Sequence, residues 1–250
     1  MFITGASAGI GKACAEAFAA EGTRLLLCAR RLERLLPVKE HLESTYGAEV
    51  HAFALDVTDS GAVRTTLEAL PAAWKDVDVL INNAGKALGR ASFQEADLED
   101  MDGMIDVNVR GLVHVSRAVI PAMVSRGSGH VINIGSVAGK WSYPGGSVYC
   151  ATKAAVAALT EGMKMDLHGT GIRVSTVDPG LVETEFSLVR FHGDAAAAEK
   201  VYQQLTPLTA DDVAHAVLFC ASRPAHVNIN QVIMMCTDQS SSTMVNRRSS

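Results

Sequence analysis

Tyr149 and Lys153 stand four residues apart in Tyr149-Cys150-Ala151-Thr152-Lys153, so on a helix their side chains share one face. An unperturbed phenol titrates at about 10, too high for an efficient base at neutral pH, and a neighbouring cation favours the phenolate. Such a pair can give a proton to a substrate oxygen or take one from it. Upstream, Ser136 follows the apolar run His130–Ile134 and could hydrogen-bond the same oxygen. Each residue alone has an ordinary explanation, since tyrosines half-bury, lysines decorate helices and serines cap them.

A second cluster lies at the start of the chain. Gly5, Gly9 and Gly11, with Ser7 and Ile10 between them, separate the run Met1–Thr4 from a helical pattern over Ile10–Ala20. Glycines at a strand-to-helix turn let the backbone approach a ligand closely, and the N–H groups that open the helix suit a pyrophosphate. Three glycines also serve any tight turn; their position between strand and helix favours a dinucleotide. About 20 residues further on, a carboxylate would hold the ribose 2′-hydroxyl of NAD. The chain instead reads Cys28-Ala29-Arg30-Arg31, and two guanidinium groups suit the extra 2′-phosphate of NADP(H). The ordinary alternative is a pair of solvated arginines at a helix start. Asp56-Val57 and Asn82-Asn83-Ala84-Gly85 follow the next two apolar runs, where ligands sit in such sheets, although Asp56 could equally cap a turn. With a nicotinamide in place, hydride transfer to a carbonyl leaves an alkoxide, and Tyr149 is placed to protonate it.

Positioning these groups requires a scaffold. Short apolar runs at 1–4, 24–28, 50–54, 77–81, 130–134, 173–177 and 231–234 alternate with helical patterns at 10–20, 32–46, 60–74, 97–125, 147–168 and 211–222. Repeated βα units of this kind predict an α/β fold, a Rossmann-type doubly wound parallel sheet of about seven strands in one domain over 1–238. Gly22, Gly47 and Gly127 fall where helices should stop. The long stretch 183–207 reads as a substrate-covering lid or as a surface excursion. The polar segment 239–250 reads as a mobile tail or as an arm that orders against a neighbouring subunit.

Composition narrows the partners. The 250 residues are 48% hydrophobic and 20% charged, as in an ordinary globular protein. With 22 basic against 27 acidic residues, a net charge of -5 and no basic run, nucleic acid is an unexpected partner. No apolar run approaches the length of a membrane span, and no secretory signal precedes the first strand, so the expected location is cytoplasmic. Five widely spaced cysteines suggest neither disulfides nor zinc, and the eight histidines form no ligand pair, so no catalytic metal is expected.

Taken together, Thr4-Gly5-x-x-x-Gly9-x-Gly11, Asn82-Asn83-Ala84-Gly85, Asn108, Ser136, Tyr149-x-x-x-Lys153 and Pro179-Gly180 resemble the short-chain dehydrogenase/reductase family over essentially the whole chain. The resemblance implies a catalytic tetrad of Asn108, Ser136, Tyr149 and Lys153. Tyr149 would be the acid/base group, Ser136 would orient the carbonyl, Lys153 would hold the ribose and lower the tyrosine pKa, and Asn108 would support a proton-relaying water. It also implies cofactor contacts from Pro179, Gly180, Val182 and Thr184, the strand order 3-2-1-4-5-6-7, and a homotetramer. Stretches 83–89, 138–146, 185–191 and 224–230 further resemble the NADP-dependent 3-hydroxy acid dehydrogenases, which act on the 3-hydroxyl of small acids and on semialdehydes, with relatives that reduce sulfoacetaldehyde. A small anionic substrate would need a cation near the nicotinamide; Arg190 is the candidate, the alternative being a surface or inter-subunit ion pair. A generic carbonyl reductase and a non-catalytic NADPH-binding protein are the rival expectations. Asp178, before Pro179-Gly180, departs from the asparagine common in relatives, and Cys150, beside Tyr149, reads as a thiol-sensitive site or a buried inert thiol.

Overall fold

The structure, a computed structural model, describes residues 1–248; Ser249 and Ser250, the end of the expected tail, lie outside the described residues. The chain alternates strand and helix: β1 (Phe2–Thr4), α1 (Gly9–Ala20), β2 (Leu25–Ala29), α2 (Leu32–Tyr46), β3 (Val50–Ala54), α3 (Ser60–Glu68), β4 (Val79–Asn82), α4 (Leu98–Ile105), α5 (Leu112–Arg126), β5 (Gly129–Ile134), α6 (Ser147–Asp166), β6 (Ile172–Pro179), α7 (Phe186–Arg190), α8 (Ala195–Lys200), α9 (Ala210–Ala221) and β7 (Gln231–Met234). All neighbouring strands pair in parallel, in the order β3-β2-β1-β4-β5-β6-β7. The order reverses between β1 and β4, which opens a crevice at the carboxyl edge of the sheet.

The strands are continuously apolar because both faces are covered. Ile3, Leu25, Leu27, Ile81, Ile132 and Val177 face one layer with α1, α2 and α9. Phe2, Leu26, Cys28, Leu80, Val131 and Val174 alternate with them and face the other, with α3 and α5. This period-two division of an unbroken apolar run is the mark of a doubly wound sheet. Each large side chain fully buried here contributes about 1.5–3 kcal/mol. All five cysteines are free and buried, Cys150 among them.

Three stretches depart from the periodicity. The pattern over 60–74 breaks after Glu68, because Pro71 cannot continue the helix, and only a 3-10 turn (Ala72–Trp74) follows. The pattern over 97–125 predicts one helix, yet a π-helical segment, Asp106–Gly111, separates α4 from α5. There Gly111 presses against Val57, whose Cγ2 would stand 2.6 Å from any added Cβ, and Asn108 is drawn towards Lys86. The third departure is the carboxyl-terminal segment. As far as Arg248 it folds back on its own chain. Gln239 bridges to Val245, the Arg248 N–H donates to the Gln204 carbonyl (2.8 Å), and the Arg247 guanidinium donates to the carbonyls of Val201 (3.1 Å) and Gln203. Guanidinium donors thereby satisfy carbonyls just beyond the end of α8 that helical bonding leaves open.

Candidate active site

A cleft of about 380 Å³ runs along the carboxyl edge from the amino terminus of α1 to the 183–207 segment. At its first end the loop Gly5–Gly9 is stitched to the end of β4. Asn83 Nδ2 donates to the carbonyls of Thr4 (2.9 Å) and Gly5 (3.1 Å), while Thr4 Oγ1 accepts from the backbone N–H groups of Asn83 and Ala84, both at 3.0 Å. No side chain caps α1, so its first N–H groups remain available to a ligand. Gly5, Ser7, Gly9 and Ile10 line the cleft and Gly11 does not. A Cβ on Gly11 would stand 2.5 Å from the Gly5 carbonyl oxygen, so this glycine serves the close packing of α1 against its own loop.

Arg30 and Arg31 are exposed and line the same cleft, with Asp56 and Val57 opposite. The Asp56 carboxylate is occupied locally, accepting from the backbone N–H (2.9 Å) and hydroxyl (2.8 Å) of Thr58, so it shapes a turn whether or not a ligand lies beside it. Asn83, Ala84, Gly85, Pro179, Gly180, Val182 and Thr184 complete the wall.

At the other end, α6 carries Tyr149 and Lys153 into the cleft on one face, beside Ser136 at the end of β5. Lys153 Nζ donates to the Ile134 carbonyl (2.8 Å), which fixes the side chain. Ser136 Oγ accepts from the Ala138 N–H (3.1 Å) and donates to the Pro179 carbonyl (3.4 Å). Asn108 lies behind the cleft wall rather than in it. Its amide exchanges hydrogen bonds with the Lys86 backbone, 2.8 Å in each direction, and donates to Thr152 Oγ1 (3.0 Å), which itself donates to the Tyr149 carbonyl (2.7 Å). The π-helical segment thus ties Asn108 to α6 through Thr152.

The spacing makes Lys153 the cation expected to act on the phenol. In the structure its ammonium lies 6.0 Å from the ring centroid, and burial pushes it down to about 8 while Asp178 pulls it up. Burial pushes the Tyr149 phenol well above its usual range, Tyr143 adds to that rise, and the groups that pull it back are the Ser136 hydroxyl and Arg190. The Arg190 guanidinium stands 5.9 Å from the Tyr149 centroid and 5.3 Å from that of Tyr143. Burial is the largest contribution to Tyr149 because the side chain is enclosed while the opposing cations sit at ring distance.

Arg190 is held by the loop after β4. Its Nε donates to the Gly89 carbonyl (3.3 Å), and its carbonyl accepts from the Gly89 N–H (2.9 Å). Phe186 packs on Tyr149 with centroids 5.9 Å apart. Where the segment begins, Arg34 makes a two-pronged bond to Glu185, at 2.9 and 2.7 Å. Tyr143, Arg90 and Arg34, which also line the cleft, are not singled out by motif or spacing. Only Arg34 leaves a sequence signal, lying one helical turn after Arg30.

Among the described residues no cluster of His, Cys, Asp and Glu could hold a metal, and no helix is long and apolar enough to cross a membrane. Comparison with known proteins agrees with the geometry. The chain is 48% identical to the NADP-dependent 3-hydroxy acid dehydrogenase YdfG of Salmonella typhi over 241 residues, 96% of each chain. It is 47% identical to sulfoacetaldehyde reductase 2 of Chromohalobacter salexigens over 240 residues, 96% of this chain and 94% of that one. The closed form of serine dehydrogenase complexed with NADP+ superposes with a TM-score of 0.92 at 45% identity, covering 99% of both chains. Residues 1–193, which carry the glycine loop, Ser136 and the Tyr149–Lys153 face, match the short chain dehydrogenase model, and the chain belongs to that family.

Proposed function

We propose that the protein is an NADP(H)-dependent oxidoreductase that interconverts the 3-hydroxyl of small hydroxy acids with the corresponding carbonyl or semialdehyde. One observation carries this: a single cleft joins an uncapped helix terminus and two exposed arginines at one end to Tyr149, Ser136 and Lys153 under Arg190 at the other. Relatives named for NADP and for hydroxy acids, at 46–48% identity, support it.

The residues fit the cofactor, since Gly5 and Gly9 leave room beside the α1 terminus for a pyrophosphate and Arg30 and Arg31 suit a 2′-phosphate. When bound, NADP(H) supplies or accepts the hydride. Tyr149, kept protonated by burial, donates to the developing alkoxide and takes the proton back in the oxidative direction. Ser136 holds the substrate oxygen towards Tyr149. Lys153, fixed by the Ile134 carbonyl, holds the ribose, and Asn108 keeps α6 in register through Thr152. Arg190 takes the substrate anion, and Phe186 keeps water from the phenol. A homotetramer and a cytoplasmic location accompany this assignment.

A sulfonate aldehyde is the second candidate substrate, favoured by the 47% identity to a protein named as a sulfoacetaldehyde reductase, because a guanidinium accepts a carboxylate or a sulfonate. The test follows the absorbance of the reduced nicotinamide. Serine, allo-threonine, 3-hydroxypropionate and 3-hydroxyisobutyrate are offered with NADP and NAD, and malonic semialdehyde and sulfoacetaldehyde with NADPH. Turnover of hydroxy acids with NADP preferred, falling by about 10³-fold in Tyr149→Phe, is the expected result. Equal use of NAD removes the role given to Arg30 and Arg31, and NADPH binding without turnover leaves a binding protein.

A further inference from the structure

Asp178 is a buried carboxylate, 5% exposed, with no cation in direct contact among the described residues. It sits near the end of β6, directly before Pro179. Its Oδ1 accepts from Thr176 Oγ1 (2.6 Å) and its Oδ2 from Gln231 Nε2 (2.5 Å). Both oxygens therefore act as acceptors, the pattern of the ionised group. A carboxylate this deep is costly unless something offsets it. The two neutral donors are a partial answer.

The remainder lies across the β5–β6 pair. Gly135 rests directly on the carboxylate, and a Cβ there would fall 1.7 Å from Asp178 Oδ1. Gly135 is flanked by Ile134, whose carbonyl accepts from Lys153, and by Ser136, whose hydroxyl donates to the carbonyl of Pro179. The carboxylate thus stands immediately behind the turn that holds both groups. The titratable and charged groups around Lys153 are Lys86 and Arg90 after β4, Tyr143 in the turn before α6, Tyr149 and Cys150 on α6, Arg190 in the 183–207 segment and Asp178 on β6. Asp178 itself does not line the cleft, and the two carboxylates that do are engaged elsewhere, Asp56 with Thr58 and Glu185 with Arg34. Asp178 also pulls the Lys153 ammonium up against the effect of burial.

We propose that Asp178 is a positioning residue that holds Lys153 cationic from behind the Ile134–Ser136 turn and so sets the alkaline limit of activity. The activity arm rests on the function proposed above; the coupling between the two charges does not. Asp178→Asn keeps the shape, since the Gln231 amide can turn to accept where it now donates. In the cofactor-free chain the Lys153 13Cε resonance, assigned by its loss in Lys153→Met, should titrate about one pH unit lower in Asp178→Asn than in the wild type. With substrate, the alkaline limb of the kcat/KM profile should move by the same amount while activity at pH 6 stays within about twofold. An unmoved lysine midpoint overturns the proposal. So does a moved midpoint with an unmoved pH limb, because the charge then has no bearing on turnover. If no hydroxy acid or aldehyde is turned over, the functional assignment fails separately, and the pH dependence of NADPH binding replaces the rate. If Asp178→Asn does not fold, Asp178→Ser, which removes the same charge, takes its place in both measurements, and an unmoved lysine midpoint there overturns the proposal.

Discussion

The two ends of the cleft are built by different means. At the amino-terminal end the geometry is made by a glycine loop with buried ties: Gly5 and Gly11 fold against Asn83, whose amide and the Thr4 hydroxyl stitch the loop to β4, and β1 beneath is fully buried. At the other end the cover is fastened by side chains at the surface, among them Arg34 to Glu185, Arg190 to Gly89 and Arg247 to the carbonyls after α8. Burial makes the first end intolerant of change. Solvent screening makes the second adjustable. Under the proposed function the first end would hold the cofactor and the second would admit the substrate, tasks that reward rigidity and adjustability respectively.

The largest expected effect comes from Lys153, a buried charge at the Tyr149 end that stability alone would not select. Lys153→Met should lower kcat/KM by about 10²–10³-fold and yet raise Tm. Burial depresses the lysine from 10.5 to about 8, so between these values the unfolded chain binds a proton that the folded chain has lost. Stability then rises with pH through that window, and below it the wild type carries the full penalty of the buried ammonium. The gain in Lys153→Met should therefore be complete at pH 7, amount to several degrees, and shrink as pH climbs above 8; calorimetry across pH 6–10 measures it. A lower Tm at pH 7 would mean that the bond to the Ile134 carbonyl outweighs the charge.

Gly11→Ala probes the amino-terminal end by packing. The added Cβ would meet backbone at Gly5, so a loss of about 1–3 kcal/mol, or roughly 2–12 °C in Tm, is expected. NADPH affinity, followed by fluorescence, should fall with it, because the glycine loop must shift.

How much of this was legible in the sequence follows the same division. Strands β1, β2, β4, β5 and β6, the glycine loop and the Tyr149–Lys153 face are written in local patterns, since apolar runs, glycines and four-residue spacing constrain the chain nearby. The cover is written in long-range pairs. Arg34 and Glu185 are 151 residues apart, and neither has a composition that announces the other. The docking of 239–248 on its own chain was unreadable for the same reason, because a serine-rich stretch carries no periodicity and its anchors are carbonyls that any residue offers. The π-helical segment around Asn108 hid in a continuous helical pattern, since the extra residue in the turn leaves composition unchanged. Asp178 was visible only as an exception, a carboxylate where an amide was expected, and its meaning required knowing that Gly135 lies against it.

At the adjustable end the effects should be catalytic without being structural. Arg190→Ala removes the guanidinium over Tyr143 and Tyr149 but no core packing, so Tm should move by less than about 2 °C. KM for hydroxy acids should rise about tenfold or more, and KM for neutral alcohols much less. Equal losses for acids and neutral alcohols would take the anion site away from Arg190 and leave it the task of tuning the phenol.

The smallest effect tests whether the cover is as loosely fastened as its exposure implies. Arg34 and Glu185 side chains are 37% and 51% exposed, and an exposed pair contributes about 0–1 kcal/mol even with two-pronged geometry. Arg34→Ala should therefore change KM for NADP by no more than about two- to fivefold, and the variant should keep most of the salt dependence that Arg30 and Arg31 give the wild type. A much larger loss, insensitive to salt, would place Arg34 with Arg30 and Arg31 on the 2′-phosphate itself. The pair with Glu185 would then be the arrangement that the cofactor displaces, and the boundary between the rigid and the adjustable end would have to be drawn beyond α2 rather than before it.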